Sequence, residues 1–449
     1  MTHLKRFPKV TLMLSNNLQK TIFHLTSRLT DWFPRGGAKF FNTVLPPIVG
    51  NRMLVNHLFK KNLKLLRRVK KFERILVIPD IHIGDAIMMQ AAVSGFRDFF
   101  PEARIDYIVK KAVGCLMEGN PDISNLYPYF TGGSFPSPSD IESLKKLITD
   151  NQYDLCYNCS PFFENSTHFP KGQVILNFLS SAPQIMRNEI DKTGDNHTIY
   201  QCYDFPRRLL ARFMSPKRTE PLKGVPMTLS DKAIAEAQEF LKVNQVPTNQ
   251  PILFINPDTA SNYTRIPFDD QVVMLKRLAQ IPGRILLGTD FTTKTLEQRL
   301  LEKLSPEERD KVVYVPTTLS LDGYTALIDF ADVFISGDTG PLHMAAARKV
   351  SRSGNFKFKN KTFVVSIFGA TPARVSGYDS KNPLFLPANQ DVQSRSYATE
   401  SLCHNVTCVN KMFKTCKTVR CFEALDVENI VVDIKLHLSE KIQKSVVTN

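Results

Sequence analysis

Two short stretches of this chain combine residue types able to do chemistry with a backbone able to present them. In the first, the small and apolar run Val333–Ser336 breaks at Gly337 and restarts at once as Asp338-Thr339-Gly340-Pro341-Leu342-His343. Asp338 and Thr339 are good N-cap residues, and Pro341 suits a first helical turn, where its missing N–H costs nothing. Strand, tight polar turn and helix together leave unpaired N–H groups and the positive end of a helix at a strand's C-terminal edge. That is a seat for phosphate, with the N–H groups of Thr339 and Gly340 best placed; an ordinary strand-to-helix turn carries the same local pattern. His343 falls one turn into the helix on the same side, as a site residue or as a half-buried packing histidine. In the second stretch, Gly84-Asp85 closes the loop after Ile75–Ile78. Asp85 can take a proton from a hydroxyl held within hydrogen-bond reach, or it can simply cap the next helix. Asp80 and His82 share that loop.

These stretches need rigid elements behind them, and the hydrophobic pattern supplies two similar sets. Short apolar runs predict strands at Ile75–Ile78, Arg104–Val109 and Tyr153–Tyr157, with helices at Asp85–Phe100, Asp140–Asp150 and Gln173–Ser180. The pattern then restarts. Strands are predicted at Ile252–Ile255, Arg284–Leu287, Lys311–Val315 and Val333–Ser336, with helices at Phe268–Gln280, Leu296–Leu304 and Gly323–Phe330. Strands alternating with helices imply parallel sheets, hence an α/β fold with two Rossmann-like domains facing one cleft. The expected organisation is a basic arm (1–73), a first domain (74–214), a connection (215–248) with a helix at Asp231–Val243, a second domain (249–400) and a cysteine-containing tail (401–449). A final helix over Asp426–Leu438 is expected to pack back across the first domain. Neither domain has Gly-x-Gly-x-x-Gly after its first strand, which counts against a dinucleotide dehydrogenase.

Gly337-Asp338-Thr339-Gly340-Pro341-Leu342-His343 resembles the donor-site motif of the ADP-heptose lipopolysaccharide heptosyltransferases, glycosyltransferase family 9. Ser366-Ile367-Phe368-Gly369-Ala370-Thr371-Pro372 resembles the strand and loop that follow it there, and Ile75-Leu76-Val77-Ile78 with Gly84-Asp85 resembles the family's N-terminal motif. Their order and separation fit over roughly residues 74–400. The resemblance implies a GT-B type fold and an inverting, metal-independent transfer of heptose from ADP-heptose to an inner-core lipopolysaccharide acceptor, with Asp85 as base. It also implies a phosphate loop over Asn256–Pro267, containing Thr259, Ser261 and Arg265. There the family usually has Lys, a basic or polar residue, then Trp-Pro, whereas this chain has Thr264, Arg265 and Ile266 before Pro267. With the lysine missing, Arg265 is the cation left to pair with a diphosphate. Asp290, just past a strand end, could meet ribose hydroxyls or lie on a surface turn. Lys110 and Lys111, ending the second strand, could meet an anionic, lipid-linked saccharide acceptor or simply be solvated. Two other functions share these motifs: heptosyl transfer to a protein, and nucleotide binding by a degenerate member without catalysis.

Charge separates the arm from the body. Residues 1–74 hold 16 Lys/Arg and 2 Asp/Glu of a chain whose net charge is +15, so the remainder is close to neutral and a nucleic-acid partner is not expected. Within the arm, Val55, Phe59, Leu63, Leu66 and Val69 fall near one helical face, and Arg52, Lys60, Lys64, Arg68 and Lys71 on another. Such a helix can lie on an anionic membrane surface or pack on the body. With no transmembrane run and no signal-peptide core, the expected location is cytoplasmic, with peripheral contact at the inner face of the inner membrane through residues 1–73. A basic stretch between Val350 and Phe363 reads as a surface insertion. Cys403, Cys408, Cys416 and Cys421 are spaced by four, seven and four residues, compatible with a structural Zn or Fe or with reduced thiols. No cofactor is required for the transfer itself.

Overall fold

The computed structural model describes residues 72–80, 82–129, 137–160, 163, 168–171, 173–178, 197–219, 222, 225, 227–259, 264–288, 295–349, 362–369, 373–379, 394–398 and 420–447. All of them lie in one compact unit, residues 69–449. The arm, Ser261, Asp290, the insertion after Val350, and Cys403, Cys408 and Cys416 fall outside the described residues.

The first half opens with β1 (Arg74–Ile78), α1 (Ile83–Met89), α2 (Ala91–Arg97), β2 (Arg104–Lys110) and β3 (Asn125–Tyr129). It continues with α3 (Pro138–Asn151), β4 (Leu155–Asn158), β5 (Ile175–Asn177) and α4 (Thr198–Leu210). The second half contains α5 (Asp231–Val243), β6 (Ile252–Asn256), α6 (Phe268–Ala279), β7 (Arg284–Leu287), α7 (Leu296–Glu302), α8 (Pro306–Asp310) and β8 (Val312–Tyr314). After these come α9 (Leu321–Phe330), β9 (Val333–Gly337), α10 (Gly340–Lys349), β10 (Phe363–Phe368), α11 (Ala373–Ser376), β11 (Ser394–Ala398) and α12 (Val427–Val447).

Both sheets are parallel. Their strand orders are β3-β2-β1-β4-β5 and β11-β10-β9-β6-β7-β8. In each, the chain leaves its first strand in one direction, then returns to pair on that strand's other side. Loops after β1 and β4, and after β6 and β9, therefore diverge at a topological switch point, where ligands bind open α/β sheets. Strand composition follows from coverage on both faces: β6 and β9 are buried at every position. One face of the second sheet packs α6, α7 and α12 through Met274, Leu278, Leu300, Ile430 and Ile434. On the other, Phe254 meets Phe334 edge-on at 5.3 Å and Tyr324 of α9 at 5.0 Å.

Three expectations change. The helix expected over Gln173–Ser180 is replaced at its core by β5, with Tyr157 of β4 paired to Leu176. An apolar stretch this short satisfies either period, and the open edge of β4 decides it. The helix over Asp85–Phe100 is two helices meeting at Gln90. The final helix does not lay its apolar face across the first half: Val427, Ile430, Val431, Ile434 and Leu438 join the core of the second sheet. Lys441 clamps Asp332 with both carboxylate oxygens at 2.7 and 2.8 Å, and Asp332 also accepts the Ile252 N–H.

A fourth difference is an addition, since no helix is expected from the sequence at α4. This helix lies on α2, where a Cβ at Gly95 would sit 2.4 Å from the Tyr203 carbonyl oxygen and 2.9 Å from Pro206. Tyr203 donates to Asp98 at 2.6 Å, and Arg207 pairs with the same carboxylate at 3.1 Å. Gly95→Ala forces these helices apart, and urea denaturation is expected to show a loss of about 1–3 kcal/mol.

Candidate functional site

The two stretches singled out by their chemistry meet. α1 begins after the Asp80–His82 loop and α10 begins after Thr339, and the helix starts abut. A Cβ on Gly84 would lie 2.4 Å from Cδ2 of His343, and one on Gly340 would lie 3.1 Å from Cβ of Ile83. Asp85 follows Gly84 directly, so its carboxylate stands at the seam between the halves, where it feels the charges of both His343 and Asp338.

On the first-half side, His82 Nδ1 lies 3.0 Å from Asp80 and 3.8 Å from Asp85. Asp85 is 39% exposed at its side chain. Partial burial raises its carboxyl above the ordinary 3.8, the nearby Asp80 carboxylate and Asp338 raise it further, and His343 and His82 oppose them. The hydrogen bond to Asp80 raises His82 in turn. Lys110, at the end of β2, is close enough to act on His82, while Lys111 next to it is exposed. One ligand atom each from Asp80, His82 and Asp85 lie within 4.8 Å of one another, a spacing that a cation could bridge.

On the second-half side, the switch-point strands β6 and β9 deliver two loops. Asn256 ties them together: its amide donates to the Asp258 carbonyl at 2.9 Å and to Ser336 Oγ at 3.3 Å, and its carbonyl accepts from Tyr324 at 2.9 Å. Asp338 is half-buried, its Oδ1 lying 3.7 Å from His343 Nε2. Thr339 precedes the first helical residue, Gly340, and its carbonyl accepts the Leu342 N–H at 3.1 Å. His343 is buried, with Nδ1 2.8 Å from the Tyr378 hydroxyl.

The loop after β6 handles its cation differently from the sequence-based expectation. Arg265 turns inward, donating to Asp258 at 2.5 Å and to the Thr259 carbonyl at 3.2 Å, and its side chain is only 19% exposed. Thr264, at the position of the absent lysine, donates to Thr259 Oγ1 at 3.0 Å. The guanidinium thus neutralises a buried carboxylate and sets the loop's shape. Of the tail cysteines, Cys421 is described: it is buried in the core of the second sheet.

Sequence reasoning missed Tyr378, His197 and Thr198. His197 caps α4, accepting the Ile199 N–H at 3.2 Å, and its ring lies 5.1 Å from that of Tyr378. Thr198 donates to the Val375 carbonyl at 3.0 Å. No local pattern announces these residues, which meet only because α4 and the segment after β10 converge on the seam.

A model of glycosyltransferase family 9 (heptosyltransferase) matches residues 210–386. Over those residues the chain is similar to that family. The matched stretch includes the loops after β6 and β9 and Tyr378, but not Asp85. Among solved structures, a family 9 glycosyl transferase from Veillonella parvula superposes with a TM-score of 0.58 at 17% identity, covering 83% of this chain and 99% of that one. The E. coli ADP-heptose lipopolysaccharide heptosyltransferase II gives a TM-score of 0.58 at 14% identity, covering 82% of this chain and 99% of that one. At such identities the likeness is one of fold, the two-domain GT-B type. No curated protein matches the sequence. No helix among the described residues is long and apolar enough to cross a membrane.

Burial pushes His197 down from 6.5 to about 3, with His343 adding to the effect. Its folded pKa lies below its unfolded one. Between those values the unfolded chain holds a proton that the folded chain does not, so the stability His197 contributes is complete above 6.5 and is lost as the pH falls. The melting temperature should therefore drop between about pH 7 and about pH 5, and His197→Gln should flatten that drop in differential scanning calorimetry.

Proposed function

We propose that the chain transfers a heptose from ADP-heptose to an anionic saccharide acceptor of the lipopolysaccharide inner core, with inversion and with Asp85 as general base. The observation that carries this is the abutment of α1 and α10 at Gly84 and His343, which brings the Asp85 carboxylate beside the helix start at Gly340. The donor diphosphate would rest on the N–H groups of Thr339 and Gly340. There the helix dipole and preorganised donors stabilise the leaving group, each donor contributing about 3 kcal/mol. Asp338 would hold the turn or a sugar hydroxyl. Asp85, whose raised carboxyl pKa favours accepting a proton, would deprotonate the acceptor hydroxyl as it attacks the anomeric carbon. Lys110 would attract the acceptor's anionic groups. Arg265 would support this site by fixing the Asp258–Thr259 loop, leaving the hydroxyls of Thr259 and Thr264 to face the donor. The heptose donor rests on the family's description, and the acceptor and a site of action at the inner face of the inner membrane rest on the motif resemblance.

Release of ADP from ADP-heptose, with and without a Kdo-bearing core acceptor, tests the proposal. Asp85→Asn should lower kcat at least about 10²-fold; near-normal turnover removes Asp85 from the mechanism. ADP binding without release by the wild-type protein would instead favour a non-catalytic nucleotide-binding role. Because the base must be ionised, the acid limb of kcat/KM should lie above the ordinary carboxylate value of 3.8, and Asp80→Asn should move that limb to lower pH by removing a like charge.

A further inference from the structure

We infer that Tyr378 is a positioning residue for the transfer step: its hydroxyl fixes the His343 ring, the spacer between the Asp85 helix and the donor helix. This rests on the seam being the site of heptosyl transfer, and it assigns a role to a residue outside every motif of the sequence. Among the described residues, three observations converge on it.

The first is the hydrogen bond. Tyr378 lies buried with its oxygen 2.8 Å from His343 Nδ1. Burial pushes its phenol well above the ordinary value of 10, so the hydroxyl keeps its proton. On the far side of the imidazole, Nε2 looks at the Asp338 carboxylate from 3.7 Å. A carboxylate offers only acceptors, so Nε2 carries the ring proton, and Nδ1 accepts from the tyrosine O–H. The Asp338 carboxylate thereby favours one tautomer, and Tyr378 fixes the ring's orientation.

The second is the spacer role. The Cδ2 edge of that ring packs where Gly84 would carry a Cβ. Rotating or withdrawing the imidazole would therefore change how closely α1 approaches α10, and with it the reach from Asp85 to a sugar seated on Gly340. The third is that Tyr378 is held from behind by the first half. The His197 ring lies 5.1 Å away, against the backbone of Ser376 and Gly377, and Thr198 grips the Val375 carbonyl. α4, on which His197 and Thr198 stand, packs on α2. The halves are thus joined twice within a few residues, at Gly84–His343 and at His197–Tyr378, with the tyrosine hydroxyl linking the two joins.

The test combines kinetics with the tautomer itself. Nitrogen-15 NMR of histidine-labelled protein should report His343 with the proton on Nε2 and Nδ1 hydrogen-bonded; a wild-type spectrum with the proton on Nδ1 overturns the inference without any variant. Tyr378→Phe keeps the ring and removes only the hydroxyl. It should remove the hydrogen-bond signature at Nδ1 and lower kcat for ADP-heptose about tenfold, while KM for ADP-heptose changes less than about twofold. A parallel rise in KM with unchanged kcat, or an unaltered kcat while Asp85→Asn is inactive, overturns the positioning role and leaves the transfer reading intact. Absence of ADP release by the wild-type protein removes the transfer reading, and the positioning role with it.

Discussion

Two helix starts approach closely, Gly84 against the ring of His343, and both halves are arranged around that contact. Each helix is delivered by the strand at the switch point of its own parallel sheet, and neither sheet alone assembles a site. Side-chain bulk at Gly84 would push the helices apart, because the neighbouring atoms belong to a ring held on two sides. What this contact achieves is electrostatic. It brings a partly desolvated carboxylate under the influence of groups on the opposite half, so that Asp85 senses both Asp338 and His343. A carboxylate left on an isolated first domain would lack that influence.

The supporting layers follow from the same requirement. Asn256 bridges the two second-half loops, Arg265 cancels the charge of buried Asp258, and Thr264, bonded to Thr259, occupies the position where a lysine is usual in the resembling family. A buried carboxylate without its partner would be costly, and a bidentate-capable guanidinium is well suited to that pairing. This accounts for an arginine in the loop after β6 that faces the protein.

Much of this was legible in the residues. Strands buried on both faces announce themselves as continuous apolar runs, so β1, β6 and β9 could be read directly, and the Gly-Asp and Gly-Asp-Thr-Gly-Pro signatures gave the helix starts. The short edge strand β5 could not be told from a helix, because three residues carry no period and its partner strand is decided by tertiary pairing. Arg265 looked like a phosphate ligand because a sequence shows a charge but not the carboxylate that claims it. Tyr378 and His197 were invisible for a related reason: about 180 residues of chain separate two rings that touch only after both halves have docked. Ser261, Asp290 and three of the tail cysteines lie outside the described residues, so their roles remain expectations from the sequence.

The C-terminal helix carries a consequence for how the molecule is made. α12 supplies a wall of the second sheet's core, and its Lys441 anchors the carboxylate that also receives the first N–H of β6. On a ribosome, the first sheet can close while the later strands are still being synthesised. The second sheet, by contrast, keeps part of one greasy face uncovered until α12 has emerged. Premature termination before that helix would thus yield a chain whose first half is ordered and whose second half is a target for chaperones and proteases.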